Sequence, residues 1–499
     1  METFLIKALQ LVLSLSILVI LHEFGHYFFS RLFKVRVDKY YVFFHPLFSL
    51  ARWKKINGKY KFRFFSRNVP SNERPKKDAS GNEVKDENGK PQMEQIPLEE
   101  LPEDDWRRHP ESTEWGIGWV PLGGYCKIAG MIDESMDKTA LKAPPQKWEF
   151  RSQSVWKRFL IIAGGVLVNF LLAFALYAAV LFTWGREVVP PENATYGYNF
   201  SQTMLNIGFK NGDKILNING QKVEEQQDIL EKLLLDGNRD VTVMRGGETL
   251  ELRMPQDLAQ QMMQNADVGF ASMRFPFVID SVFPNTNAAR AHLMKGDSII
   301  AVNGKQISLY QDVTNEFLQN KNKATVLYFA RNGYLCRTTV LVDANGRIGI
   351  LPKAYNNFLQ TVQHKYNLLE SIPAGFNYGI ETLTFYVKQF KLVFTKAGVK
   401  QLGGFGTIGG LFPPVWDWQS FWMLTAFLSI ILAFMNFLPI PGLDGGYALF
   451  LIYEAITRRK PSDKFMEYAT TIGFMLLLLL LVYANGNDLF KWISNLFGL

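Results

Sequence analysis

The chain has 499 residues, a formal net charge of +8 and two cysteines; 48% of its residues are apolar and 14% aromatic. That apolar load is high for a soluble protein and modest for a pure helical bundle, so membrane spans joined to water-soluble modules are expected. The positive excess comes without a nucleic-acid-binding pattern and reads as the cytoplasmic-side bias of a membrane protein, while Cys126 and Cys336 fall in segments expected on opposite sides of the bilayer, so no disulfide and no cysteine-based metal site are expected.

Residues of about 4–30 form the first expected span, long enough for a hydrocarbon core of roughly 30 Å. It lacks a basic start and a small-residue cleavage site, so it reads as a retained span. Inside it lies Leu21-His22-Glu23-Phe24-Gly25-His26. Histidines four apart share one helical face, so both imidazoles can reach one metal ion. The glutamate between them can hold and deprotonate a water at that ion. Arg31, Lys34, Arg36 and Lys39 follow, which puts this end of the helix in the cytoplasm and the N-terminus outside.

Residues of about 40–155 form a long inside segment. Tyr40–Phe44 and Tyr60–Phe65 have the alternating, aromatic character of strands. Ser71–Asp105 is rich in Pro, Lys, Glu, Asp, Asn and Gly and is expected to be a flexible surface insertion. Trp115-Gly-Ile-Gly-Trp-Val-Pro-Leu-Gly-Gly-Tyr125-Cys-Lys-Ile is apolar but too broken for a span. It reads as a re-entrant hairpin beside the metal motif, or as a buried loop.

A second span is expected from about Phe159 to Trp184, leading outward after Arg151, Lys157 and Arg158. Its Gly164 and Gly165 permit close helix packing. Asn169 is a polar amide at membrane depth, which fits either an interhelical hydrogen bond or a group that holds a substrate backbone. In the water-soluble stretch of about 186–353, Gly212-Asp-Lys-Ile-Leu-Asn-Ile-Asn-Gly220 recurs as Gly296-Asp-Ser-Ile-Ile-Ala-Val-Asn-Gly304. Each is a strand running into an Asn-Gly turn. The repeat resembles two tandem PDZ domains, which take an extended peptide as an added strand; Asp213 and Asp297 read as turn residues.

Residues of about 355–415 are amphipathic and basic and suit the membrane interface. Gly403-Gly-Phe-Gly-Thr-Ile-Gly-Gly410 lacks the lysine and spacing of a phosphate loop, so no nucleotide is expected. A third span, about 419–438, ends in Asn436-Phe-Leu-Pro-Ile-Pro-Gly-Leu-Asp444-Gly-Gly446. Asp444 is a carboxylate in an apolar setting and so a functional candidate. A helical piece, Tyr447–Thr457, reaches the basic cluster Arg458-Arg459-Lys460, and the last span runs from about Phe465 to Tyr483. Four spans with both termini outside satisfy every charge cluster.

A bare HExxH pattern arises by chance in many chains. Here it lies in a membrane helix, where His and Glu are costly, and Asp444 stands in a second broken helix on the same side of the bilayer. Two histidines and one carboxylate leave a fourth position open for water, as catalytic zinc sites require. His45, His109, His292 and His364 read as surface or capping residues.

Together, His22-Glu-Phe-Gly-His26, Val120-Pro-Leu-Gly-Gly-Tyr125, Gly164-Gly-x-x-x-Asn169, the tandem repeats and Asn436-x-x-Pro-x-Pro-x-Leu-Asp444-Gly resemble the site-2 protease family of intramembrane metalloproteases. The likeness is to the bacterial type with two PDZ domains that serves envelope-stress (sigma-E-like) signalling. The resemblance implies one zinc ion on His22, His26 and Asp444, with Glu23 as general base. It also implies that Asn169 and Asn436 help hold an extended substrate strand, and that Gly116–Ile128 forms a membrane-re-entrant β element. The sequence departs from the family pattern in a longer insertion at about Ser49–Glu114 and in Gly-Gly-Phe-Gly where a proline is expected.

The expected fold is a polytopic α-helical membrane protein with about four transmembrane helices, a re-entrant β element and two PDZ-like domains. The expected order is a first span with the zinc motif (1–33), a cytoplasmic loop with insertion and hairpin (34–155), a second span (156–185), the two PDZ-like domains (186–265 and 266–353), an interface segment (354–418), and the last two spans with the third ligand (419–499). The expected function is zinc endopeptidase cleavage of transmembrane segments of single-pass proteins in the bacterial inner membrane, with the PDZ-like domains periplasmic. An anti-sigma factor after a first cut and remnant signal peptides are the substrate types considered. Two alternatives are a non-catalytic PDZ scaffold, which would bind no metal, and a metalloprotease of soluble loops with a glutamate third ligand from a downstream helix.

Overall fold

A computed structural model describes residues 2–68, 73–76, 84, 91–121, 123–131, 144–223, 229, 232–233, 239–265, 270–395, 398–399 and 402–497. They form two compact units, one of 1–183, 367–384 and 403–488, the other of 184–366, 385–402 and 489–499.

The first unit is built on helices. α1 spans Glu2–Leu32, α2 Val155–Trp184, α3 Leu368–Phe390, α4 Phe405–Leu411, α5 Trp418–Phe437, α6 Asp444–Thr457 and α7 Asp463–Phe497. The last residues of α3 and α7, from 385 and from 489, belong to the second unit. Among the described residues, α1, α2, α5 and α7 are long and apolar enough to cross a membrane, as the four expected spans require. Leu11 and Leu18 of α1 pack on Phe421 and Leu428 of α5, and Ala173 and Tyr177 of α2 on Ala426 and Ile430 of α5. Close approach of α1 and α2 depends on glycine. A Cβ on Gly25 would lie 2.2 Å from the Gly164 carbonyl oxygen. Arg158 of α2 donates to Glu454 Oε1 of α6 at 2.6 Å, a largely buried ion pair that ties those two helices. α3 packs on α2 through Gly375 and Gly379, which lie against Ala178 and Phe174.

α7 runs well past Tyr483, the expected end of the last span. Its polar side chains have partners: Asp488 Oδ2 accepts from the Gly404 and Thr407 amides at 2.9 Å, and Asn485 Oδ1 from the Phe405 amide at 3.2 Å. They close the start of α4, which gives the glycine-rich stretch a structural role.

Between α1 and α2 lie β1 (Val37–Val42), β2 (Phe48–Ile56), β3 (Lys59–Arg67), β4 (Glu73–Pro75), β5 (Met93–Gln95), β6 (Glu114–Ile117) and β7 (Tyr125–Ile128). The two strands expected from aromatic alternation are present as β1 and β3. The expected hairpin over Trp115–Ile128 takes a different form. β6 and β7 do not pair with each other; β1 lies between them, parallel to β6 and antiparallel to β7, in a sheet ordered β3-β2-β6-β1-β7. The physical reason is the partner available in β1, whose Tyr40 hydroxyl donates to the Ile20 carbonyl of α1 at 2.6 Å and anchors the sheet to that helix. β4 and β5 form a small separate ribbon in which Arg74 pairs with Glu94 and Glu100 at 2.8 and 2.6 Å. Much of the remaining stretch expected to be flexible lies outside the described residues.

The second unit holds two repeats with one topology. Lys214–Ile218 (β8), Asp240–Arg245 (β9) and Glu248–Arg253 (β10) match Ser298–Val302 (β11), Ala324–Arg331 (β12) and Tyr334–Leu341 (β13). The register shifts at the same place in each, between Ile215 and Asn217 and between Ile299 and Ala301. The Asn-Gly turns have positive φ at both residues, 47° and 73° at Asn219–Gly220 and 50° and 82° at Asn303–Gly304, as the tight turn requires. Asp213 and Asp297 do close turns, each accepting a backbone amide at 2.8 Å. They also do more: each is buried and takes both Nε and Nη2 of an arginine, Arg245 and Arg331, at 2.7–2.8 Å. Asp297→Ala leaves Arg331 without its carboxylate and is expected to cost about 3 kcal/mol, the low end for breaking a buried pair because Arg331 can reach water. Amide exchange at Ile299 and Phe329 in the intact protein should then speed by about two orders of magnitude.

Candidate metal centre

The centre is assembled from three helices. His22 and His26 lie one turn apart on α1 and are buried. α2 crosses them at Gly165, where a Cβ would lie 2.5 Å from His26 Nε2 and 2.6 Å from His22 Cε1. The third contribution comes from the reversal between α5 and α6. Leu438 is extended and stops α5 before Pro439, and Gly442 turns the chain at a φ of 101°. α6 then begins at Asp444, where the positive end of the helix dipole favours a carboxylate. The reversal fits tightly: a Cβ on Gly445 would lie 2.2 Å from the Leu438 carbonyl oxygen, and one on Gly473 of α7 would lie 1.6 Å from that of Pro441.

These elements bring three ligand-type atoms to one point. His22 Nε2 lies 3.2 Å from His26 Nε2, and Asp444 Oδ2 lies 3.2 Å from His22 Nε2 and 3.4 Å from His26 Nε2. Ligands held roughly 2.0–2.1 Å from a tetrahedral ion are about 3.3 Å apart, so the triangle has the dimensions of one face of a zinc site. Asp444 Oδ2 is buried without a well-formed hydrogen bond, a costly state that a cation relieves. His26 Nδ1 donates to the Ile161 carbonyl of α2 at 2.9 Å, which leaves the Nε2 lone pair free to face the ion. The residues fit zinc. Among the described residues, His22, His26 and Asp444 form the one such cluster, and no glutamate takes the third place.

The other expected site residues sit differently from one another. Glu23 is partly exposed beside the ligands, and its carboxylate accepts a hydrogen bond from the Cys126 backbone amide of β7. Asn436, near the end of α5, is partly exposed and sets Nδ2 3.4 Å from His22 Nε2. Asn169 is fully buried on α2, with Nδ2 3.2 Å from His22 Nδ1. The Ile161 carbonyl and the Cys126 amide escape sequence reasoning, because a main-chain group carries no residue-type signal. Gly165 is legible only as a packing residue, not as one that touches both imidazoles.

Comparison with known proteins agrees with this chemistry. The family model described as "Peptidase family M50" matches residues 10–67 and 96–480, leaving out much of the stretch that reads as an insertion. A Rickettsia conorii protein provisionally named a zinc metalloprotease is 24% identical over 99% of this chain and 100% of its own length. Protease RseP of Yersinia pestis is 23% identical over 96% of this chain and 97% of its own. Metalloprotease MmpA of Caulobacter vibrioides is 24% identical over 99% of each.

Proposed function

The chain belongs to peptidase family M50 and is a membrane-bound zinc metalloendopeptidase, and from that premise we propose that it cuts other proteins within a membrane-spanning segment. The observation that carries this reading is the triangle of His22 Nε2, His26 Nε2 and Asp444 Oδ2, with sides of 3.2–3.4 Å, whose two histidines lie on a helix long and apolar enough to span a bilayer. The family rules out the non-catalytic scaffold, and the place of Asp444 argues against a glutamate third ligand.

His22, His26 and Asp444 hold the ion. Zinc, when bound there, supplies Lewis-acid chemistry: it polarises a carbonyl and makes water more acidic. Glu23 takes the proton of the attacking water on its carboxylate as the new C–O bond forms. It then delivers that proton to the amine nitrogen as the C–N bond breaks. A helical peptide bond is shielded by its own hydrogen bonds, so the substrate must unwind first. The unwound segment then aligns as an added strand beside the sheet that holds β1 and β7 next to α1. Asn436, partly exposed beside the ligands, donates its amide hydrogens to the substrate backbone.

The repeats of the second unit act as PDZ-type modules on the periplasmic side of the inner membrane, screening substrates by size or by a C-terminus exposed after a first cut. Anti-sigma factors and remnant signal peptides are the substrate classes that suit such a filter. The test is cleavage in proteoliposomes of a single-span reporter, with product ends located by mass spectrometry. A cut inside the span, blocked by a zinc chelator and restored by zinc, is the expected result. Cuts confined to soluble loops would overturn the proposal.

A further inference from the structure

We infer that Asn169 is a positioning residue for His22, fixing which ring nitrogen faces the metal, and is not a substrate contact. The inference rests on the metal-centre reading above and deepens it. Asn169 is fully buried, so an added substrate strand does not reach it in this structure. Its backbone carbonyl accepts from Ser429 Oγ of α5 at 2.8 Å, which pins the residue between two helices. Its amide lies against His22 Nδ1 at 3.2 Å, while its own Oδ1 is buried without a partner. An orphaned buried carbonyl costs about 1–3 kcal/mol and calls for a reason.

The ligand triangle supplies one. When His22 offers its Nε2 lone pair to a metal, its hydrogen sits on Nδ1 and needs an acceptor. His26 has that acceptor in the Ile161 carbonyl. For His22 the neighbouring group at Nδ1 is the Asn169 amide. Half a turn about the Asn169 Cβ–Cγ bond exchanges nitrogen for oxygen and brings Oδ1 to Nδ1–H. The same half-turn gives Oδ1 a donor, puts the NH2 group where Oδ1 stood, and fixes the imidazole with Nε2 toward Asp444. The two histidines are thus oriented from one helix, α2, by a main-chain carbonyl in one case and a side-chain amide in the other.

The test uses the full chain in nanodiscs and compares Asn169→Leu with Asn169→Asp. Zinc affinity is read by competition with a chelator, and KM and kcat are read on the single-span reporter at saturating zinc. Asn169→Leu has the shape without the acceptor and should weaken zinc about 10–100-fold with KM unchanged. Asn169→Asp restores an acceptor and should bind zinc at least as tightly as the parent. A mere packing role makes the opposite forecast for aspartate, since a buried charge would be the more damaging change. Parental zinc affinity in the leucine variant with a raised KM would overturn the inference in favour of substrate contact. Should Asn169→Leu not fold, nitrogen-15 NMR of the histidine-labelled parent decides. An exchange-protected Nδ1–H assigned to His22 supports the inference, and its absence overturns it. A parent that binds no zinc would instead sink the metal-centre reading itself.

Discussion

Glu23→Gln is expected to lower cleavage of a membrane-anchored reporter by about 10²–10⁴-fold, the usual contribution of a general acid–base group, while zinc stays bound at one ion per chain. Glutamine has the shape of glutamate and can still meet the Cys126 backbone amide through its side-chain oxygen. It cannot accept the proton of the attacking water or return one to the leaving amine. The ligands His22, His26 and Asp444 are untouched, so metal content separates this loss from collapse of the site. Asp444→Ala is the instructive contrast, because it removes one corner of a triangle whose sides are 3.2–3.4 Å and should lose zinc together with activity. Parental turnover by zinc-loaded Glu23→Gln would remove Glu23 from the mechanism proposed above.

These residues differ in how far the sequence exposes them. His22 and His26 are legible because helical spacing alone puts them on one face. Asp444 is legible as an oddity, a carboxylate after two prolines and a glycine at membrane depth, and the structure adds that it starts a helix 3.2 Å from His22 Nε2. Asn169 stands between two readings in the sequence because an amide in a span can serve a helix or a ligand. Its full burial and its contact with His22 Nδ1 are the observations on which the positioning role inferred above rests. The sheet between α1 and α2 shows a further boundary. Strand character at β1 and β3 follows from residue alternation, but the insertion of β1 between β6 and β7 depends on long-range partners that local pattern does not encode. The tandem repeats lie at the other extreme. Their shared Gly-Asp and Asn-Gly positions predict matching strands and turns, but the arginine partners of Asp213 and Asp297 lie more than thirty residues away and carry no local mark.

Gly165→Ala should be nearly as damaging to function as loss of a ligand, although helix propensity argues the reverse. In an ordinary helix interior the change from glycine to alanine is worth up to about 1 kcal/mol of stability. Here the added methyl would sit 2.5 Å from His26 Nε2, 2.6 Å from His22 Cε1 and 2.8 Å from His22 Nδ1. Both imidazoles would have to move, and neither has free space. His26 is held by the Ile161 carbonyl one turn earlier on the same helix, and His22 by Asn169 one turn later. The helices cannot separate cheaply either, because Gly25 and Gly164 meet just beside this point at backbone distance. The expected outcome is a folded protein that has lost its zinc and its cleavage of the single-span reporter. Gly410→Ala is the control, since a Cβ there meets nothing within 4 Å and should leave both properties at the parental level. Retention of zinc and full activity by Gly165→Ala would mean that α2 does not press on the imidazoles, and that the close crossing of α1 and α2 does not shape the site.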